Sequence, residues 1–99
     1  MTEQVLSDLP IPPGELLAET IKTAGLSQAE LARRMGRPAQ AINEIVRGAK
    51  EITADTAIQI ERVLGVPAHI WLGLEAEYQL TKARRGDRQR LQADAKPAR

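Results

Sequence analysis

Five glycines divide this chain into short segments, and their spacing constrains the fold more than any other feature. Each glycine follows a run in which apolar side chains recur every three or four residues, the spacing of one helix face. Glycine commonly ends helices because it adopts the left-handed conformation without steric cost. The stops are Gly25, Gly36, Gly48, Gly65 and Gly86. The sequence therefore predicts an all-α fold of five helices joined by short loops.

The predicted helices also have recognisable starts. Pro13 suits the first turn of a helix, where its missing N–H needs no partner. Ser27 and Glu30 have the spacing of a capping box, in which each side chain bonds the backbone N–H of the other residue. The remaining starts are marked by Pro38, Thr53 and Pro67. The following residues are then predicted to face inward: Leu17, Ile21, Ala24, Leu31, Ala32, Met35, Ile42, Ile45, Val46, Ala57, Ile60, Leu64, Trp71, Leu74 and Tyr78.

The composition excludes several classes of protein. The 99 residues include no cysteine, so disulfides and thiolate metal sites are excluded. No apolar run approaches the ~20 residues of a membrane span, and we expect no signal peptide. His69 is the single histidine, and no catalytic triad, metal cluster or glycine-rich phosphate loop accompanies it. We expect a cytoplasmic protein that is not an enzyme and needs no cofactor, metal or membrane.

Charge is distributed unevenly along the chain, although the net charge is only +1. Residues 28–50 carry five basic groups against two acids, and residues 81–99 carry seven against two. The segments 1–27 and 51–80 are acidic, with net charges of −3 and −4. Two basic blocks separated by acidic ones indicate local contacts with a polyanion. The alternative is a chance arrangement of solvated helix faces.

Residues 28–47 have the pattern of a helix-turn-helix. Such a motif needs a small residue where its helices approach, here Ala32, and a sharp turn, here Gly36. Its second helix must anchor through apolar residues on one side, here Ile42 and Ile45, so that the other side can enter the major groove of DNA. Leu31 and Met35 complete the shared core. The alternative is a helical hairpin with a polar exterior and no ligand.

The outward side of this second helix offers side chains suited to DNA. Gln40 and Asn43 can bond adenine edges, and Ala39 can touch a thymine methyl group. Arg37 can reach guanine or phosphate, whereas Gln28 lies at a helix N-terminus that favours phosphate. Arg47 and Lys50 suit phosphate neutralisation. Glu44 would repel phosphate, but it could accept a hydrogen bond from cytosine, pair with a neighbouring arginine or face water. The predicted DNA-binding residues are Gln28, Arg37, Ala39, Gln40, Asn43, Arg47 and Lys50.

Several strings of residues resemble a known family. Ser27-Gln28-Ala29-Glu30-Leu31-Ala32 followed by Gly36 resembles the Cro/C1-type (XRE) helix-turn-helix family, which has a lambda-repressor-like fold. The chain more closely resembles the HigA-type (VapI-like) antitoxins. That likeness rests on Pro13-Gly14-Glu15, Leu26-Ser27-Gln28, Ile42-Asn43-Glu44-Ile45, Ile52-Thr53-Ala54-Asp55-Thr56-Ala57 and Trp71-Leu72. Ala39 and the basic tail from Lys82 to Arg99 depart from the family pattern.

The resemblance implies an antitoxin that represses its own operon as a homodimer and neutralises a RelE-like mRNA-cleaving toxin, HigB. The C-terminal helices would form much of the dimer, and the candidate interface residues are Ile70, Trp71, Leu74 and Tyr78. Alternatively, Trp71 completes the monomer core. The protein could also be a stand-alone regulator without a toxin, or an interaction module that no longer binds DNA.

The chain is predicted to contain one domain with two flanking segments. Residues 1–12 are expected to form an irregular arm, and residues 13–85 the DNA-binding and dimerisation domain. Residues 86–99 are expected to form a basic, flexible tail. That tail could add non-specific DNA affinity, become ordered on a toxin, or simply keep the protein soluble.

Overall fold

The computed structural model describes residues 11–95 and consists there of five α-helices and no strand. The helices are α1 (Pro13–Thr23), α2 (Gln28–Met35), α3 (Ala39–Val46), α4 (Ala54–Leu64) and α5 (Ala68–Ala95). The predicted all-α, five-helix fold is therefore confirmed. Of the predicted N-terminal arm only residues 11 and 12 are described, and residues 96–99 of the predicted tail also lie outside the described part.

The local signals at the helix ends act as the sequence predicts. Ser27 and Glu30 form the full capping box at the start of α2. The side chain of Thr53 accepts a hydrogen bond from the Thr56 N–H and so caps α4. Gly36 ends α2 in the left-handed conformation, with a φ of 72°. Such a φ strains any residue with a side chain, which is why a glycine stands at this turn.

The core draws on all five helices. Its fully buried large side chains are Leu17, Leu31, Ile42, Ile52, Ile60 and Trp71. Ile52 comes from the loop between α3 and α4, and Trp71 from the first turns of α5. Ala24, which was predicted to face inward, is exposed because α1 ends at Thr23 and the chain turns away.

Helix α5 continues beyond the predicted stop. It was expected to end near Gly86, but it runs for 28 residues to Ala95. Gly86 has no positive φ, so it lies within the helix and does not cap it. One internal glycine costs a helix only about 1 kcal/mol, and the alanine, arginine and glutamine residues around it favour helix. The predicted end of the last helix is therefore wrong; that the tail is flexible stays a prediction.

Only the first half of α5 packs on the rest of the molecule, where it contacts α4 and α1. The second half projects outward, and the described residues extend over 59 × 31 × 20 Å. No helix within residues 11–95 has the length and apolar character needed to cross a membrane.

Candidate nucleic-acid interface

Helices α2 and α3 pack together through their apolar sides. Leu31, Ala32 and Met35 of α2 are buried with Ile42 and Ile45 of α3. This packing fixes which side of α3 faces outward. Of the predicted DNA-binding residues on α3, Ala39, Gln40 and Asn43 are exposed, and Arg47 is exposed at its C-terminal end. The geometry required of a helix-turn-helix is therefore present.

A chain of hydrogen bonds joins three of the predicted DNA-binding side chains. Asn43 Nδ2 donates to Oε1 of Gln28 at 3.3 Å, which links the outward side of α3 to the start of α2. Arg47 Nε donates to Oδ1 of Asn43 at 2.9 Å. Both ends of the Asn43 carboxamide are thus held, and each retains capacity for a further bond. The three side chains form one polar surface in the free protein.

A second polar chain has an acid at its centre. Gln40 Nε2 donates to Oε2 of Glu44 at 3.3 Å, while Lys50 Nζ lies 4.0 Å from Oε1 of the same carboxylate. The two oxygens of the Glu44 carboxylate therefore have a partner each within the protein, Gln40 and Lys50. Lys50 is exposed and Glu44 is half-buried, and an ion pair with such an exposed partner at 4.0 Å contributes at most about 1 kcal/mol. A DNA phosphate can accordingly compete with Glu44 for Lys50.

Arg37 is held differently from the other predicted DNA-binding residues. It is half-buried, and its Nε donates to Oε1 of Gln59 on α4. This bond ties the turn of the motif to α4 and leaves the terminal guanidinium nitrogens for other acceptors. Gln59 was not recognised from the sequence, because the partners are 22 positions apart and no sequence pattern links them.

The start of α2 is stabilised electrostatically beneath Gln28. The Ser27 N–H donates to Oε1 of Glu30 at 2.9 Å, and this bond lowers the pKa of Glu30 below its ordinary value of 4.5. The Ser27 hydroxyl, Arg33 and Arg34 lower the pKa further. Glu30 is therefore ionised near neutral pH, and its charge favours the positive end of the helix dipole.

The four residues predicted to form a dimer interface do not lie together on the surface. Trp71 is fully buried in the monomer core, because its side of α5 faces the other helices, so it offers no exposed surface to a second copy. Leu74 is half-buried against the same core, and Tyr78 is half-buried at the edge of a cleft. Ile70 is exposed. The position of Trp71 therefore agrees with the alternative prediction, in which this residue completes the monomer core.

The cleft lies between α5, the start of α1 and the loop after α3. Its volume is about 190 Å³, and it is lined by Pro12, Pro13, Ile45, Gly48, Ala49, Lys50, Glu51, Glu75, Tyr78, Gln79 and Lys82. Glu75 is buried there, and its Oε1 accepts from the Ile52 N–H at 2.9 Å. Its Oε2 accepts from Gln79 Nε2 at 2.6 Å. Glu75 was missed because a single acid in a helix normally indicates a solvated position.

Comparison with known proteins indicates one family. The helix-turn-helix family HTH_3 matches residues 17–71, more than half of the chain. Virulence-associated protein I of Dichelobacter nodosus is 43% identical over 74 residues, which cover 74% of this chain and 68% of that protein.

Solved structures share the fold over nearly the whole chain. An antidote protein of a plasmid maintenance system from Nostoc punctiforme has a TM-score of 0.84 at 28% identity, covering 90% of this chain and 98% of that one. The Pseudomonas aeruginosa antitoxin HigA, solved with the higBA promoter, has a TM-score of 0.78 at 34% identity. That match covers 92% of this chain and 100% of the HigA chain.

Proposed function

This chain belongs to the helix-turn-helix family HTH_3, in its Cro/C1-type, HigA-like (VapI-like) branch, and on that premise we propose that it is an operator-binding antitoxin. The resemblance indicated by its sequence strings is confirmed. The family is one of DNA-binding regulators and antitoxins. We propose that the protein works in the cytoplasm, represses its own operon and neutralises a RelE-like toxin of the HigB type.

The observation that supports DNA binding best is the outward side of α3. Its exposed polar side chains continue into Gln28 of α2 through the bonds of Asn43. We propose that Gln40 and Asn43 bond base edges and that Ala39 contacts a thymine methyl group. Gln28, Arg37, Arg47 and Lys50 would contact phosphates and fix the position of α3 in the groove.

A homodimer is part of the proposal. One helix-turn-helix reads only a few base pairs, and a two-fold pair reads half-sites about 34 Å apart. Since Trp71 is buried, Ile70, Leu74 and Tyr78 remain from the predicted interface, and only Ile70 is exposed in the monomer. Residues 13–85 would form the unit that binds DNA and pairs with a second copy.

Operator binding is tested with the DNA upstream of the gene. A fluorescence-anisotropy titration should show tighter binding to that duplex than to a shuffled duplex of equal length. Affinity should fall as salt rises, because phosphate contacts release counterions. Equal affinity for both duplexes would reject the repressor function.

Toxin neutralisation needs a separate test. The neighbouring reading frame is expressed alone and together with this chain, and cell growth and mRNA cleavage are followed. Growth arrest that co-expression relieves would support the antitoxin. A neighbour with no effect on growth would favour the second candidate, a stand-alone regulator, which the helix-turn-helix geometry supports equally well.

A further inference from the structure

The second half of α5 is strongly basic and exposed. Residues 80–93, the projecting segment, carry five cations and one acid. Every described side chain from Lys82 to Ala93 is exposed, except at the half-buried Gly86. At 1.5 Å per residue the segment is roughly 21 Å long, which matches several phosphates of one DNA strand.

The basic side of this segment continues the side of α5 that packs on the core. Trp71, Leu74 and Tyr78 face the other helices, and the next residues at the same spacing are Lys82 and Arg85. The stripe therefore changes from apolar to cationic where the helix leaves the core. Asp87 lies on the opposite side of the helix, where it bonds Arg90 at 2.9 Å.

This stripe begins beside the end of α3. Lys82 lies over the Tyr78 ring, 4.9 Å from its centroid, and both residues line the cleft that also contains Lys50. Of the two acids in the cleft, Glu75 is buried and its carboxylate is bonded to Ile52 and Gln79. Glu51 is exposed. The cations of the projecting segment therefore begin next to Lys50, one of the proposed phosphate contacts of the helix-turn-helix.

We propose that the projecting segment is a second DNA-contacting surface, on which Lys82 and Arg85 bind the phosphodiester backbone flanking the half-site read by α3. The inference rests on the proposed operator binding. The occupant is DNA because the surface joins the helix-turn-helix at Lys50, and because the exposed Leu80 and Leu91 lie on the side of the helix opposite to Lys82 and Arg85. Protein interfaces are centred on apolar or aromatic anchors.

The contact adds affinity without sequence preference, because phosphates carry no base information. It also predicts that DNA flanking the half-site increases the binding affinity. A duplex that ends at the half-site has no phosphates within reach of the projecting segment, whereas a duplex with flanks has further phosphates that the segment can contact. The salt dependence of binding should therefore grow with flank length.

The test compares two double variants of the full chain that remove the same charge. Lys82→Gln with Arg85→Gln changes the basic stripe, while Lys22→Gln with Arg62→Gln removes two exposed cations on α1 and α4, outside the projecting segment. Binding is measured by anisotropy to the operator core and to the same core with flanks, at several salt concentrations. A charge-preserving pair, Lys82→Arg with Arg85→Lys, controls for local structure, and circular dichroism checks helix content.

On the flanked duplex, the plot of log K against log salt should be less steep for the stripe variant than for wild type. The magnitude of its negative slope should fall by about 2 per protomer, because each lost phosphate contact accounts for about 0.9. Its preference for operator over shuffled DNA should not change, and the other two variants should behave as wild type. Equal slopes for the stripe variant and the Lys22/Arg62 control would overturn the inference. Lack of operator preference in the wild type would instead reject the proposed function, and the two failures are distinct. Stripe variants that keep full DNA affinity but lose an acidic protein partner would also overturn it.

Discussion

The backbone of Gly14 lies directly against the carbonyl oxygen of Ile45. A Cβ atom built on Gly14 would be 2.0 Å from that oxygen and 2.7 Å from the carbonyl oxygen of Val46. Contacts below 3.0 Å are not tolerated, and both neighbours are backbone atoms that cannot rotate away. Gly14 thus allows α1 to pack on the last turn of α3, which sets the position of the reading helix.

Gly14→Ala should therefore reduce the free energy of unfolding by about 3 kcal/mol, the upper part of the range for an overpacked core. Urea unfolding followed by the fluorescence of the buried Trp71 measures the loss. Gly73→Ala is the matched control, because this helical glycine has no atom within 4 Å of the added methyl group. The control should gain about 1 kcal/mol from helix propensity. Equal stability of both variants would contradict the close packing of α1 on α3.

Much of the fold and of the candidate site could be predicted because its signals are local. The capping box at Ser27 and the turn at Gly36 each depend on residues within one helical turn, so their spacing is visible in the sequence. The string Pro13-Gly14-Glu15 is part of the resemblance to the HigA-type antitoxins, but the resemblance does not explain why position 14 is a glycine. That reason is the approach of two backbones 31 residues apart in the chain.

The features that were missed depend on tertiary contacts. The bond between Arg37 and Gln59 joins two helices, and Glu75 reaches a loop N–H at Ile52. Neither pair has a sequence spacing that marks it. The extension of α5 is not evident from the sequence, because a glycine such as Gly86 commonly ends a helix. Here the helix continues, since the residues around Gly86 favour helix.

Glu75 should be more important for stability than an acid in a helix usually is. Glu75→Ala leaves the Ile52 N–H without its acceptor in a buried site, and should cost about 3 kcal/mol. Glu75→Gln keeps an oxygen at the same place, so its cost should be about 1 kcal/mol. Thermal unfolding of both variants gives the comparison. A Glu75→Ala protein as stable as Glu75→Gln would show that the bond to Ile52 contributes nothing.

The capping box should make stability depend on acid pH. The folded-state pKa of Glu30 lies below its ordinary value of 4.5, chiefly through the bond from the Ser27 N–H. Its ionisation therefore stabilises the fold above about pH 4.5, and the effect is lost as the pH falls through the lowered pKa. Wild type should exceed Glu30→Gln in urea midpoint at pH 7, and the difference should shrink as the pH falls from 4.5 through the lowered pKa of Glu30. An unchanged difference at acid pH would mean that the charge of Glu30 has no part in it.

Arg47 should affect all DNA sequences similarly. Arg47→Ala removes a predicted phosphate contact, so affinity should fall for operator and shuffled duplexes alike and the salt slope should decrease by about 1. Arg47→Lys keeps the positive charge and should restore the slope. If Arg47→Ala leaves the slope unchanged, Arg47 does not contact phosphate.

The central claim is that the outward side of α3 reads DNA, and the paired variant Gln40→Ala with Asn43→Ala tests it most directly. Both side chains are exposed, so circular dichroism and the unfolding midpoint should match those of wild type. The ratio of operator to shuffled-duplex affinity, measured by anisotropy at one salt concentration, should be well above one for wild type and should fall to near one in the variant. A folded variant that retains the wild-type ratio would contradict this assignment of the reading surface.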